Sequence, residues 1–150
     1  MKDREEIIAK INEAVGKKAV SSYRPAPNRF HVSVAQGDLR KTVKLVFEEL
    51  LGRYVILTGV DTPQGMEVLY HFSFDEVGLV VTLRVLLDKQ DAKIDSITPI
   101  VRGAEWIERE IHELLGVEFV GHPNMRRLIL AEDWPEGVYP LRRSYGRDST

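Results

Sequence analysis

Three consecutive runs with strand periodicity, joined by connections too short for a crossover, constrain this chain most. They are RYVILTGVD (53–61), MEVLYHFSF (66–74) and LVVTLRVLLD (79–88). The second alternates cleanly, with Val68, Tyr70, Phe72 and Phe74 set toward one face. DTPQG is a turn, and hairpin-length connections oblige neighbouring strands to pair antiparallel, since a parallel pair needs a dozen or more residues between its strands. RFHVSVA (29–35) alternates Phe30, Val32 and Val34 against Arg29, His31 and Ser33 and adds another half-buried strand. KIDSITPI (93–100) reads as a shorter strand interrupted by Pro99.

Helical periodicity brackets these runs. DREEIIAKINEAV (3–15) groups Ile7, Ile8, Ile11 and Val15, with Asp3 as N-cap and Gly16 as stop. Asp38 is placed to cap LRKTVKLVFEELLG (39–52), whose stripe is Leu39, Val43, Val46, Phe47 and Leu50. GAEWIEREIHELLG (103–116) is bounded by glycines, and its apolar positions Trp106, Ile107, Ile111, Leu114 and Leu115 predict the buried stripe. AVSSYRPAPN (19–28) reads as a short extended piece that its two prolines turn into loop. The order α–β–α–β–β–β–α–tail predicts an α+β, two-layer fold: a mixed or mostly antiparallel sheet with helices on one face. The expected division is an α+β domain over 1–116 and an extended C-terminal tail over 117–150, which lies on something else, such as another chain.

Composition narrows the function. The chain has no cysteine, so it offers no thiolate nucleophile, iron–sulfur ligation or disulfide. A formal charge of -2 gives no reason to expect nucleic acid or an anionic membrane surface as partner. Its longest apolar run falls short of a membrane span, and the charged start MKDREEIIAK is unlike a signal sequence, so a cytoplasmic protein is expected. No GxGxxG, GxxxxGK[ST] or GxSxG pattern is present.

His112-Glu113 on a helix, with His122 beyond it, comes close to the zinc-protease pattern. Zinc needs the second histidine four residues after the first, and that position is Gly116. The metalloprotease reading fails on spacing. The helix instead offers i, i+4 pairs: Glu105 with Arg109, Arg109 with Glu113, and Glu108 with His112. One reading is a solvated face with weak ion pairs. The other is that Glu108, Arg109, Glu110 and Glu113 pin the basic tail or a partner by charge-assisted bonds.

The same residues carry a resemblance. Glu108-Arg109-Glu110, two residues, Glu113-Leu114-Leu115 (with no gap), six residues, His122, three residues, Arg126, one residue, Leu128-Ile129 resembles the signature of the respiratory complex I 30 kDa subunit family. LYHF (69–72), SITPIVRGAEWIERE, GHPNMRRLIL and DWPEGVYPLRRSY are similar to its other segments, over roughly residues 29 to 145. The resemblance implies a non-catalytic assembly subunit of the hydrophilic arm of a complex I-like oxidoreductase, of NADH-quinone or membrane-bound hydrogenase type. It implies a place beside the 49 kDa or hydrogenase-large-like subunit and an iron–sulfur subunit, on the cytoplasmic side, touching the membrane only through the complex. Iron–sulfur clusters, and flavin or nickel–iron, are expected in those partners and none in this chain. The implied structural or interface residues are Glu108, Arg109, Glu110, Glu113, His122, Pro123, Arg126, Arg127, Leu128, Pro140 and Arg142. The competing reading is a stand-alone soluble enzyme or ligand binder using the acid-rich helix with His112 and His122. At 17.1 kDa the chain is shorter than the family's name, which leaves the electron donor open.

Overall fold

A computed structural model describes residues 3–16 and 21–147. The first helix, α1 (Arg4–Val15), begins as the sequence predicts: the Asp3 side chain accepts from the Glu6 amide, and Ile7, Ile8, Ile11 and Val15 are buried. Two short strands follow, β1 (Ser22–Ala26) and β2 (Arg29–Ser33), paired antiparallel. The expectation of loop for AVSSYRPAPN is thus corrected over 22–26, its first two residues lying outside the described set. Pro25 is tolerated because β1 is the outermost strand, where a missing amide donor costs no ladder bond.

The second helix differs from its sequence reading. A single 3-10 turn leads into α2 (Leu39–Lys44), which then widens into a π turn over Leu45–Glu49. Asp38 makes no side-chain cap bond; its carbonyl instead accepts from Thr42 Oγ1 at 2.8 Å. Leu50 N reaches back to Leu45 O and Gly52 N to Val46 O, which keeps Val46 and Leu50 facing inward while Phe47 is only partly buried.

The three long strands are β3 (Arg53–Thr62), β4 (Gly65–Phe74) and β5 (Leu79–Leu87). Both hairpins are antiparallel, and β2 joins β5 in parallel, giving the order β1-β2-β5-β4-β3. The fold is therefore α+β with a mostly antiparallel sheet, as the pattern implied. Met66, Val68, Tyr70, Phe72 and Phe74 of β4 and Leu79, Val81, Leu83, Val85 and Leu87 of β5 line the buried face. The opposite face is more polar: His71 lies between Thr58 and Thr82, with ring nitrogens 3.2 and 3.0 Å from their hydroxyls.

The run 93–100 is a strand only over β6 (Lys93–Asp95); beyond it Ile100 N and Val101 N both bond to Ile97 O, so the chain turns. Next comes α3 (Glu105–Leu115), ended by Gly116 in the left-handed region at φ 75°. Finally β7 (Glu118–Val120) pairs in parallel with β6. This pairing, with Val117 and Phe119 buried, carries the packed body across the expected boundary at 116/117. The helix α3 sits close on the sheet because position 59 is glycine. A Cβ there would fall 2.6 Å from Leu115 Cδ1 and 3.0 Å from Ile111 Cγ2.

Candidate functional site: the third helix and the C-terminal segment

The buried side of α3 is made of Glu108, Arg109, Ile111, Glu113 and Leu115. Glu108, Arg109 and Glu113 are only 0%, 5% and 8% exposed, whereas Trp106 is 65% exposed and Leu114 partly so. This corrects the apolar-stripe reading, which put Trp106 and Leu114 inside, and the reading of a solvated face of ion pairs. Among the described residues, none of the three i, i+4 pairs forms a salt bridge. The physical reason is that each buried charge has found hydrogen-bonding groups outside the helix, which offset the penalty for burying it.

Glu108 faces the turn after β6. Its Oε1 accepts from Ser96 Oγ (3.0 Å), Ile97 N (3.1 Å), Thr98 N (3.0 Å) and Thr98 Oγ1 (2.8 Å). That turn forms around one carboxylate oxygen, which is why the strand reading of 93–100 stops at Asp95. Burial nevertheless raises the Glu108 carboxyl above its ordinary value, outweighing the Thr98 and Ser96 bonds and the nearby His122.

Arg109 and Glu113 face the other way, onto the chain after β7. Arg109 donates from Nε to Arg126 O (2.9 Å) and from Nη2 to Arg127 O (2.6 Å). Glu113 accepts at Oε1 from Leu128 N (3.0 Å) and at Oε2 from Ile129 N (2.8 Å) and Leu130 N (3.2 Å). Five consecutive residues, 126–130, are thus held by their main chain, two carbonyls on a guanidinium and three amides on a carboxylate. Further along, Arg142 caps the end of α3. Its Nε donates to Leu115 O at 2.7 Å, Nη1 to Lys89 O at 3.2 Å, and its guanidinium lies 5.1 Å from the Tyr139 ring centroid. The Tyr139 ring lies against Gly116, where a Cβ would come within 2.5 Å of it.

The remaining expected residues fall around this strap. His122 Nδ1 accepts from Asn124 N, so its Nε2–H donates to Glu105 O at 2.9 Å, and both ring nitrogens are used. His112 Nδ1–H donates to Val117 O at 2.8 Å. Arg127 ties the segment to itself, donating to Ala131 O and Trp134 O. Pro140 is partly buried, Pro123 and Arg126 are exposed, and Glu110 is partly exposed and outside these bonds. A cleft of about 380 Å³ opens between His112, Glu113, Trp134 and Tyr139. Of the groups lining it, Glu113 commits both oxygens to three main-chain amides. Among the described residues, no three histidines, cysteines or acids group as a metal site.

Sequence reading missed Ser96, Ile97 and Thr98 as the partners of Glu108. The available signal was the hydroxyl pair Ser96/Thr98 just ahead of a helix whose apolar stripe is broken by acids.

The comparisons with known proteins fit this geometry. The family model described as "Respiratory-chain NADH dehydrogenase, 30 Kd subunit" matches residues 32–150, which takes in the strap and α3. The chain belongs to this 30 kDa subunit family. It is 29% identical to a subunit of the F(420)H(2) dehydrogenase of Methanosarcina mazei over 94% of its length and 88% of that protein's. It is 31% identical to formate hydrogenlyase subunit 5 of Escherichia coli over 91% of its own length, but spans only 25% of that protein. In structure it resembles a chain of the archaeal membrane-bound sulfane sulfur reductase, described as a respiratory membrane complex, with a TM-score of 0.76, 26% identity and 93% and 84% of the two chains covered. Relatives of the 30 kDa family are thus subunits of multi-subunit complexes of NADH-quinone oxidoreductase or hydrogenase type. No helix among the described residues is long and apolar enough to cross a membrane.

The strap also predicts a pH response. Burial alone pushes Glu113 up, but the Ile129, Leu128 and Leu130 amides together with Arg127 outweigh it and hold the carboxyl below its ordinary 4.5. A lowered folded-state value means the bonds stabilise fully above 4.5 and are lost as pH falls through the folded value. Followed by NMR, the Leu128, Ile129 and Leu130 amide shifts should titrate with a midpoint below 4.5. A midpoint at or above that value would contradict the assignment. Glu108, raised instead, has the opposite sign: its contribution is lost as pH rises through its folded value.

Proposed function

We propose that this chain is a non-catalytic structural subunit of the hydrophilic arm of a complex I-like, membrane-associated oxidoreductase. In this reading it packs against a subunit of the 49 kDa or hydrogenase-large type and a neighbouring iron–sulfur subunit, and reaches the cytoplasmic face of the membrane only through them. Redox centres, whether iron–sulfur, flavin or nickel–iron, then belong to those partners, and the electron donor is chosen elsewhere in the complex.

One observation carries this reading. The strap is held by its backbone, which leaves its side chains turned outward: Ile129 is 56% exposed, Leu141 60%, and Leu128 and Tyr145 are exposed as well. So is Trp106 of α3. Contiguous exposed apolar groups mark an interaction surface, and Leu128 and Ile129 adjoin in sequence. The alternative of a stand-alone enzyme would draw on Glu113 and His112 in the cleft beside α3, yet Glu113 spends both oxygens on main-chain amides and His112 its Nδ1–H on Val117 O.

The test is affinity purification of the tagged chain from its native membranes, with mass spectrometry of what accompanies it. Co-purification of a hydrogenase-large-like protein with iron–sulfur proteins is the expected result; recovery of the chain alone at low salt in mild detergent would overturn it. A double variant, Ile129→Asp with Leu141→Asp, sharpens the test. Exposed substitutions change stability by about 0.5 kcal/mol or less. Recovery of the partner should nevertheless fall by at least about tenfold, as when a central apolar contact of an interface is lost. An equal loss of melting temperature and of partner would make these residues part of the fold.

A further inference from the structure

Beneath α3, three buried polar oxygens from three elements have no hydrogen-bond partner among the described residues: Glu108 Oε2, Tyr70 Oη and Tyr54 Oη. They occupy one region. Tyr54 of β3 faces Phe72 of β4 in register, their ring centroids 6.1 Å apart, and Tyr70 lies two residues from Phe72 on the same face. The other end of the Tyr54 ring is met by Gly103, just ahead of α3, where a Cβ would stand 3.4 Å from Tyr54 Cδ1. Glu108 enters from α3 itself, with its other oxygen already saturated by four donors. The Leu57 amide lies near Tyr54 Oη without reaching hydrogen-bond geometry. Burial, and next in Tyr70 the Glu108 charge, raises both phenols, Tyr54 to about 12.

Buried hydroxyls and carboxylates are almost always paired, and a phenol inside a protein usually finds a partner for its O–H. Here the candidates are two donors, the phenols, and one acceptor, the free carboxylate oxygen. They do not reach one another directly, which is the situation in which a protein retains internal water: a polar site with two to four partners for each molecule. Both phenols feel the Glu108 charge. We propose that internal water links Glu108 Oε2 to the hydroxyls of Tyr70 and Tyr54. This water hydrates the buried oxygen of Glu108 that no protein donor serves, while the other oxygen fixes the turn at 96–98. It is independent of the proposed assembly role, since none of its three groups is exposed on the strap.

The experiment is a crystal structure of the full chain, at a resolution that shows ordered water, together with urea unfolding of Tyr70→Phe and Tyr54→Phe. The expected density places water within hydrogen-bond distance of Glu108 Oε2 and of at least one phenol oxygen, and Tyr70→Phe lowers the unfolding midpoint. A hydroxyl with no partner would give the opposite sign, because removing it relieves a desolvation penalty. An unchanged or raised midpoint for both variants overturns the proposal. So does density in which a phenol and the carboxylate bond to each other with no water between them.

Discussion

Glutamine at position 113 is expected to release the strap even though it differs from glutamate by one atom and a charge. Glu113 uses both of its oxygens as acceptors, one for Leu128 N and the other for Ile129 N and Leu130 N. An amide has one acceptor and one NH₂ group, so in either orientation a donor would face a main-chain N–H. Hydrogen bonds to a charged group are worth about 1.5–3 kcal/mol each, and at least one is lost outright while the others weaken. The expected local cost is about 2–4 kcal/mol, or roughly a 30- to 700-fold faster native-state exchange of those three amides. Exchange elsewhere, in β4 and β5 for example, should be little changed, because the strap lies outside the sheet. Protection of residues 128–130 that survives in Glu113→Gln would show that the strap is held by packing. Loss of partner binding in the same variant would then link the strap's order to assembly.

How much of this was legible in the sequence depends on where each group finds its partner. The helix α1 was, because Asp3, the Ile7–Ile11 spacing and Gly16 all act within a few residues. The hairpins of β3, β4 and β5 were legible for the same reason. The strand β1 was not, since Pro25 argues for loop unless the strand is known to be an edge, which is a property of the whole sheet. The π turn in the second helix is invisible to a 3.6-residue period that still places Val46 and Leu50 correctly. The clearest failure lies in α3. A hydrophobicity count puts Trp106 inside and Glu108 outside, and the protein does the reverse. The donors that make burial of Glu108 tolerable lie 10 to 12 residues earlier, and those of Glu113 lie 15 to 17 residues later. Local periodicity has no access to either. Fixed spacing across α3 and the strap does, which is why the resemblance singled out Glu108, Arg109 and Glu113 where helix physics alone left a solvated face open.

The two glutamates, five residues apart, should then answer the same substitutions in opposite ways. Glu108 serves all four of its donors with one oxygen. Glutamine supplies that acceptor through its carbonyl and places its NH₂ where the other oxygen was, so Glu108→Gln is expected to change stability by no more than about 1 kcal/mol. Removing a buried charge that burial disfavours offsets part of whatever is lost. Alanine is different. The hydroxyls of Ser96 and Thr98 can turn to other acceptors and the Thr98 amide keeps Ser96 Oγ at 3.1 Å. The Ile97 amide has no second acceptor among the described residues, and a buried unpaired donor costs about 1–3 kcal/mol. With the cavity added, Glu108→Ala should destabilise the whole domain by about 3–5 kcal/mol in urea unfolding. The turn at 96–98 connects β6 to α3, so this loss is global, whereas that of Glu113→Gln is confined to the strap. Equal damage from Gln and Ala at position 108 would mean that the charge itself, and not one well-placed acceptor, holds the turn.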